Sequence, residues 1–128
     1  MMKTLSACLI VKNEENNIER CLSSIEPIVD EIILVDTGSS DKTIEIAKDF
    51  RNIRIFKTTW NDNFSEARNF SLKQATSDWI LIVDADEYVS PTDYETILRS
   101  IDKDDADGYY INTKNYTNIF AREDFVPS

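Results

Sequence analysis

The chain contains no histidine, and it has two glycines and two cysteines among its 128 residues. Without imidazole there is no histidine general base, no histidine orienting a nucleophile and no histidine zinc ligand, so acid–base chemistry falls to carboxylates. Cys8 lies in an apolar segment and Cys21 in a segment with helical spacing. This placement favours two small buried thiols over a disulfide.

Positive charge and long hydrophobic runs are also scarce. The 14 basic residues face 24 acidic ones, for a net charge of −10. An acidic chain without basic clusters is a poor partner for nucleic acid or an anionic membrane. No segment is long enough to span a bilayer, and the N-terminus lacks the apolar core of a secretory signal. We therefore expect a cytoplasmic protein with no transmembrane segment.

Short apolar segments alternate with segments of helical periodicity along the whole chain. The predicted strands are 5–11, 31–35, 53–56, 79–83 and 108–113, and the sequence signal fades after Lys114. The predicted helices are 15–25, a helix capped by Ser40 or Asp41, 63–75, and a helix starting at Ser90-Pro91. This alternation predicts a single α/β domain with a mostly parallel sheet flanked by helices on both faces.

Three carboxylates, Asp84, Asp86 and Glu87, follow the apolar strand 79–83. If the chain stays extended there, alternate side chains share a side, so Asp84 and Asp86 point together and Glu87 points elsewhere. Carboxylate pairs of this kind suit Mg²⁺ or Mn²⁺, which keep waters and bridge to substrate phosphates. The pattern predicts a divalent-cation site at the end of this strand.

Polar clusters follow three of the predicted strands, at 12–15, 36–41 and 84–87. The carboxyl ends of parallel strands meet at one edge of a sheet, where nucleotides bind in open α/β folds. Asp36 either accepts a hydrogen bond from a nucleotide or caps the following turn, and the sequence supports both roles equally. Glu14 and Glu15 are better explained as first-turn helix residues than as catalysts.

Arg68 lies at the middle of the third predicted helix. It can clamp a phosphate or orient Asp84, although an ordinary surface arginine is the favoured interpretation from the sequence alone. Gly38 allows the turn after the second strand to adopt a positive φ or to approach a ligand closely.

Four segments together carry a family resemblance: 9–15, 33–43, 67–69 and 82–87. In this order and spacing the chain resembles a family 2 glycosyltransferase of the GT-A fold, over residues 5 to about 90. The resemblance implies a nucleotide-diphosphate sugar donor (commonly linked to uridine diphosphate, UDP), a divalent cation and transfer with inversion to an acceptor that the sequence does not identify.

The resemblance also implies roles for individual residues. Asp36 matches an aspartate that contacts the base, Arg68 an arginine of the nucleotide pocket, and Asp84 a residue near ribose and metal. Asp86 matches the direct metal ligand. The segment that contains Val11, Lys12 and Glu14 matches the segment that lines the base and ribose in the family. Lys12 stands where the family often has an aromatic residue.

A catalytic carboxylate lies well downstream in the family, on the acceptor side of the cleft. We therefore expect the base beyond Ser128, and we interpret residues 1–128 as the donor-nucleotide-binding part of a longer glycosyltransferase.

Two alternatives belong to other classes. A flavodoxin-like phosphoacceptor domain fits the chain length, the acidic strand ends and Lys114, but the third strand ends in Lys57-Thr58-Thr59 without a carboxylate. A nucleotidyltransferase normally begins with a glycine-rich loop, which a chain with two glycines does not provide.

Overall fold

The computed structural model describes residues 3–58, 64–102, 108–113 and 116–121. The strands are β1 (Leu5–Val11), β2 (Glu31–Asp36), β3 (Ile53–Lys57), β4 (Trp79–Ile82), β5 (Gly108–Thr113) and β6 (Tyr116–Ala121). The helices are α1 (Ile18–Ile25), α2 (Thr43–Ala47), α3 (Phe64–Gln74) and α4 (Tyr94–Asp102), the last preceded by a 3₁₀ turn at Pro91–Asp93. Among the described residues, no helix is long and apolar enough to cross a membrane.

The strands form one sheet in the order β3-β2-β1-β4-β6-β5. The first four are parallel, with Val11 opposite Asp36 and Cys8 opposite Ile82. β6 pairs antiparallel with β4 and with β5. The prediction of a mostly parallel sheet is therefore confirmed, but the sequence interpretation missed β6. This strand takes its place from pairing with β4, a distant segment that local patterning does not reveal.

The strand order also excludes the phosphoacceptor alternative. A flavodoxin-like sheet has the order 2-1-3-4-5, in which β1 lies between β2 and β3. Here β3 lies outside β2, and β1 lies between β2 and β4.

The sheet is covered on both faces, as predicted. On one face, Leu9 and Leu34 pack with Leu22 of α1, Ala47 of α2 and Ile97 of α4. The opposite face is covered by α3, in a cluster of Cys8, Ile33, Val35, Ala67, Leu72, Ala75, Ile80 and Ile82. β4 is fully buried and β1 is buried except at Ile10, so the loops that follow these two strands start from a packed core.

Two helices begin later than the sequence predicted. α1 starts at Ile18, and Glu14 and Glu15 precede it, so their assignment to its first turn is wrong. Asn13 has a left-handed φ of 54°, which turns the chain before the helix begins. α2 starts at Thr43 with Lys42 at its N-cap position, so neither Ser40 nor Asp41 is the cap, although Asp41 Oδ1 accepts from the Thr43 backbone N–H at 2.9 Å.

Cys8 and Cys21 are free, fully buried thiols in the two different core layers. Burial raises the pKa of each thiol to about 12. The thiolate is the reactive form, so we expect neither cysteine to react with a disulfide reagent in the folded chain at pH 8. Both should react after unfolding in denaturant. Rapid reaction of either thiol in the folded chain, followed by absorbance, would contradict this placement.

Candidate functional site

Three loops follow β1, β2 and β4 at the same edge of the sheet, because these neighbouring strands are parallel. The first two loops are joined by hydrogen bonds around Asn13. Its side-chain Oδ1 accepts from Ser40 N at 2.8 Å, and its backbone N–H donates to Ser39 Oγ at 2.8 Å. Glu14 N also donates to Thr43 Oγ1 at 2.8 Å. These bonds fix the loop after β1 relative to the loop that follows Asp36 at the end of β2.

Asp36 ends β2 and is only 3% exposed. Its carboxylate accepts hydrogen bonds from Gly38 N (3.3 Å), from Ser39 N (3.0 Å) and from the Ser39 hydroxyl. Gly38 has φ 130°, the positive value that this turn requires. The structure therefore shows the turn-capping role of Asp36, while its contact with a nucleotide base stays a prediction.

Asp36 also borders an open cleft of about 440 Å³ between the loop after β2, α2 and the end of β3. Lys48 and Lys57 contribute to the same wall, and Lys57 is the strand partner of Asp36. A buried carboxylate and two lysines thus meet at one opening on the carboxyl edge of the sheet.

The carboxylates after β4 lie in a turn, which corrects the expectation of an extended chain. β4 ends at Ile82, Glu87 N donates to Asp84 O at 2.9 Å, and the Glu87 carboxylate accepts from Asp84 N at 2.9 Å. Asp84 and Asp86 are nevertheless both exposed, and Ala85 between them is buried. Glu87 is engaged in holding the turn, so Asp84 and Asp86 are the carboxylates presented to solvent.

Negative charge is concentrated in this turn. The pKa of Glu87 is raised, first by its partial burial and then by the charges of Asp84 and Asp86, while the Asp84 N–H acts in the opposite direction. Within the described ranges, no three His, Cys, Asp or Glu side chains are arranged to hold a metal ion. Two exposed carboxylates fit a Mg²⁺ or Mn²⁺ ion that takes its remaining ligands from phosphates and water.

Arg68 of α3 approaches this turn from the other side. Its Nη2 lies 3.9 Å from Asp84 Oδ1, and its guanidinium lies 5.1 Å from the centre of the Phe64 ring. The side chain is only 22% exposed, and its Nε is buried without a hydrogen-bond partner among the described residues. The surface-arginine interpretation is therefore wrong, and of the two roles considered, orientation of Asp84 agrees with this geometry.

The other candidate residues occupy the first loop. Val11 is buried, and its carbonyl accepts from Thr37 N at 3.0 Å. Lys12 is exposed, and the Glu14 carboxylate accepts from Asn17 Nδ2 at 3.1 Å. The structure thus brings the candidates together as a Val11–Asp36 pair across β1 and β2 and an Arg68–Asp84 pair beyond β4.

Sequence reasoning missed two contributors to the site. One is Asn13, which an asparagine directly after a strand could have signalled, because asparagine tolerates a positive φ. The other is the face of α1 on which Arg20 and Ser24 contact the loop after β4. Their spacing of four residues places them on one helix face, but only the folded chain shows what that face meets.

The family model for glycosyl transferase family 2 matches residues 6–122. Among curated proteins, a glycosyltransferase of Bacillus subtilis, the SPbeta prophage-derived SunS, is 41% identical over 88 residues, which are 68% of this chain and 21% of that protein. The chain spans about a quarter or less of the length of the first curated relatives it matches.

Solved structures show the same fold. A mannosyltransferase from Pyrobaculum calidifontis in complex with GDP-Man and Mn²⁺ matches with a TM-score of 0.77 and 18% identity, over 96% of this chain and 46% of that one. A glucosyl-3-phosphoglycerate synthase from Mycobacterium tuberculosis with Mn²⁺, UDP and glucosyl-3-phosphoglycerate matches with a TM-score of 0.71 and 20% identity, over 94% and 57%. At these identities the likeness shows the fold, which is GT-A.

Proposed function

The chain belongs to glycosyl transferase family 2, and from this premise we propose that it forms the donor-binding part of a glycosyltransferase that takes its sugar from a nucleotide diphosphate, with UDP as the nucleotide. The observation that carries the proposal is the turn after β4. It presents Asp84 and Asp86 to solvent beside the mostly buried Arg68, at the sheet edge that also holds the buried Asp36.

The proposed ligand lies across the end of β1. β2 and β4 flank β1, so Asp36 and Asp84 are separated by two strand spacings, or about 10 Å. The base lies at the Asp36 end, against the loop of Val11, Lys12 and Glu14. The diphosphate lies at the other end, near Asp84. In this arrangement the lysine stem of Lys12 packs where the family often has an aromatic ring.

Asp86 and Asp84 would hold the divalent cation, Mg²⁺ or Mn²⁺. When bound, such an ion stabilises the negative charge of the departing diphosphate. The chain's own contribution is positional: the Arg68 guanidinium lies 3.9 Å from the Asp84 carboxylate and attracts it, and Glu87 closes the turn through the Asp84 N–H. The acceptor nucleophile, the inverting outcome and a catalytic base beyond residue 128 are parts of the proposal that rest on the family alone.

The solved relatives support a nucleotide-linked donor and a divalent cation. The mannosyltransferase was solved with GDP-Man and Mn²⁺, and the synthase with UDP and Mn²⁺. The two structures contain different bases, so the choice of UDP here rests on the family resemblance, in which the aspartate matched by Asp36 usually contacts uracil. We further propose a cytoplasmic location, where the two free thiols would stay reduced.

Calorimetry on this chain tests the proposal. UDP, UDP-glucose, GDP and GDP-mannose would each be titrated with Mn²⁺ and with the metal removed by a chelator. We expect binding of the uridine nucleotides that strengthens at least about tenfold with Mn²⁺, because the ion bridges the carboxylates and the diphosphate. The absence of heat and of any thermal shift with all four ligands would overturn the proposed function.

A further inference from the structure

One face of α1 holds the loop that follows β4 at several successive points. Arg20 Nη2 donates to the backbone oxygen of Asp86 at 3.5 Å, and the same guanidinium lies 4.6 Å from the centre of the Tyr88 ring. Ser24 Oγ accepts from Val89 N at 2.9 Å. These contacts hold the loop at Asp86, inside the Asp84–Glu87 turn, and at Tyr88 and Val89 beyond it.

The remaining contacts of this face are partly buried. Cys21 Sγ lies 3.6 Å from Asp84 O and donates to it, and the Tyr94 hydroxyl of α4 donates to Ser24 O at 2.5 Å. The helix is therefore fixed to α4 at one point and to the loop at others. Arg20 is the charged and exposed member of this set.

The loop thus lies between two arginines from opposite faces of the sheet. Arg68 of α3 approaches the side chain of Asp84, whereas Arg20 of α1 binds the backbone of Asp86. The difference matters for a metal ligand. A cation bound to the carboxylate of Asp86 would compete with the metal, but a donor on its carbonyl fixes the residue and leaves both carboxylate oxygens available.

We propose that Arg20 is a positioning residue for the metal ligand Asp86, an inference that rests on the proposed function. The Tyr88 ring holds the guanidinium through a cation–π contact, and the guanidinium holds the Asp86 carbonyl. The carboxylates of Asp84 and Asp86 repel one another and favour a more open loop, so an anchor on the backbone reduces the reorganisation needed when metal and diphosphate bind.

Three variants separate this role from a general loss of surface charge. Arg20→Leu removes the hydrogen bond and the cation. Arg20→Lys keeps the cation and one donor within reach of the ring and the carbonyl. Arg99→Leu is the matched control, because it removes the same charge from an exposed arginine of α4 that pairs with Glu95.

We expect Arg20→Leu to weaken Mn²⁺-dependent binding of UDP about tenfold, with binding of UDP in chelator unchanged. Arg20→Lys should recover most of this loss, and Arg99→Leu should bind as wild type does. Hydrogen exchange without ligand supplies the second readout, since the amides of Glu87 and Val89 should exchange faster in Arg20→Leu alone.

Each outcome decides a separate point. Wild-type Mn²⁺-dependent affinity in Arg20→Leu would overturn the inference while leaving the proposed function in place. Unchanged exchange at Glu87 and Val89 would overturn it even if affinity fell, because the loop would not have been released. A wild-type chain without Mn²⁺-dependent binding would overturn the proposed function, and the role of Arg20 with it.

Discussion

Replacing Asp86 by asparagine is expected to remove Mn²⁺-dependent binding of UDP while the chain stays folded. The variant keeps the shape of the side chain but loses the charge of an exposed carboxylate that we propose as the direct metal ligand. Loss of a residue that merely supports a metal ligand costs about 10–100-fold in affinity, so we expect loss of the ligand itself to cost at least about 100-fold. Calorimetry with and without Mn²⁺ measures this change.

Glu87→Gln is the matched control for Asp86→Asn, since it removes one negative charge from the same turn. The Glu87 carboxylate accepts from Asp84 N, and a glutamine side chain can still accept that bond. We therefore expect Glu87→Gln to keep metal-dependent binding within about threefold of wild type. Equal losses in the two variants would mean that the turn contributes only diffuse negative charge. Unchanged binding in Asp86→Asn would remove Asp86 from the site.

Replacing Asp36 by alanine is expected to weaken uridine nucleotides and to flatten the preference among bases. A base that offers no N–H to this carboxylate forgoes one charge-assisted hydrogen bond, at a cost of about 1–3 kcal/mol. The same change also leaves Gly38 N and Ser39 N without their acceptor, which lowers the free energy of unfolding. Competition titrations with UDP and CDP measure the base preference, because cytosine N3 carries no hydrogen where uracil N3 does, and urea unfolding measures the stability.

Ser39→Ala separates the two effects of Asp36. It removes the hydroxyl that donates to Asp36 and accepts from Asn13 N, but it leaves the carboxylate in place. We expect Ser39→Ala to be destabilised and to keep the preference for uridine. If Ser39→Ala lost the preference as fully as Asp36→Ala, or if Asp36→Ala kept it, the carboxylate would serve the turn alone.

Local patterning was enough to predict the layers of this fold. The strand at 79–83 and the helix of Ile18, Leu22 and Ile25 could be predicted because each depends on residues close together in the sequence. Both elements appear in the structure. The start of α1 was misplaced because the left-handed Asn13 turns the chain first. β6 was missed because its partner β4 lies in a distant part of the sequence.

The location of the candidate site followed from topology, since parallel strands end at one edge. The conformation of the site could not be predicted in this way. The turn that engages Glu87, the burial of Arg68 and the contact of Arg20 with Asp86 all depend on helices that meet the loop only after folding. Residue types at strand ends therefore predicted where carboxylates gather, and tertiary contacts determine which of them are exposed.

The most direct measurement of the proposed site is an amide NMR spectrum of the ¹⁵N-labelled chain with UDP, comparing Mn²⁺ with the diamagnetic Mg²⁺. A single site across β1 predicts that Mn²⁺ broadens the amides of Asp84 to Glu87 most strongly, that of Asn13 less and that of Asp36 least, because Asn13 follows the neighbouring strand β1 and Asp36 ends β2, about two strand spacings away. The effect should disappear in Asp86→Asn. Broadening centred away from the carboxyl edge of the sheet, or an equal effect in Asp86→Asn, would contradict a nucleotide-sugar site at these three loops.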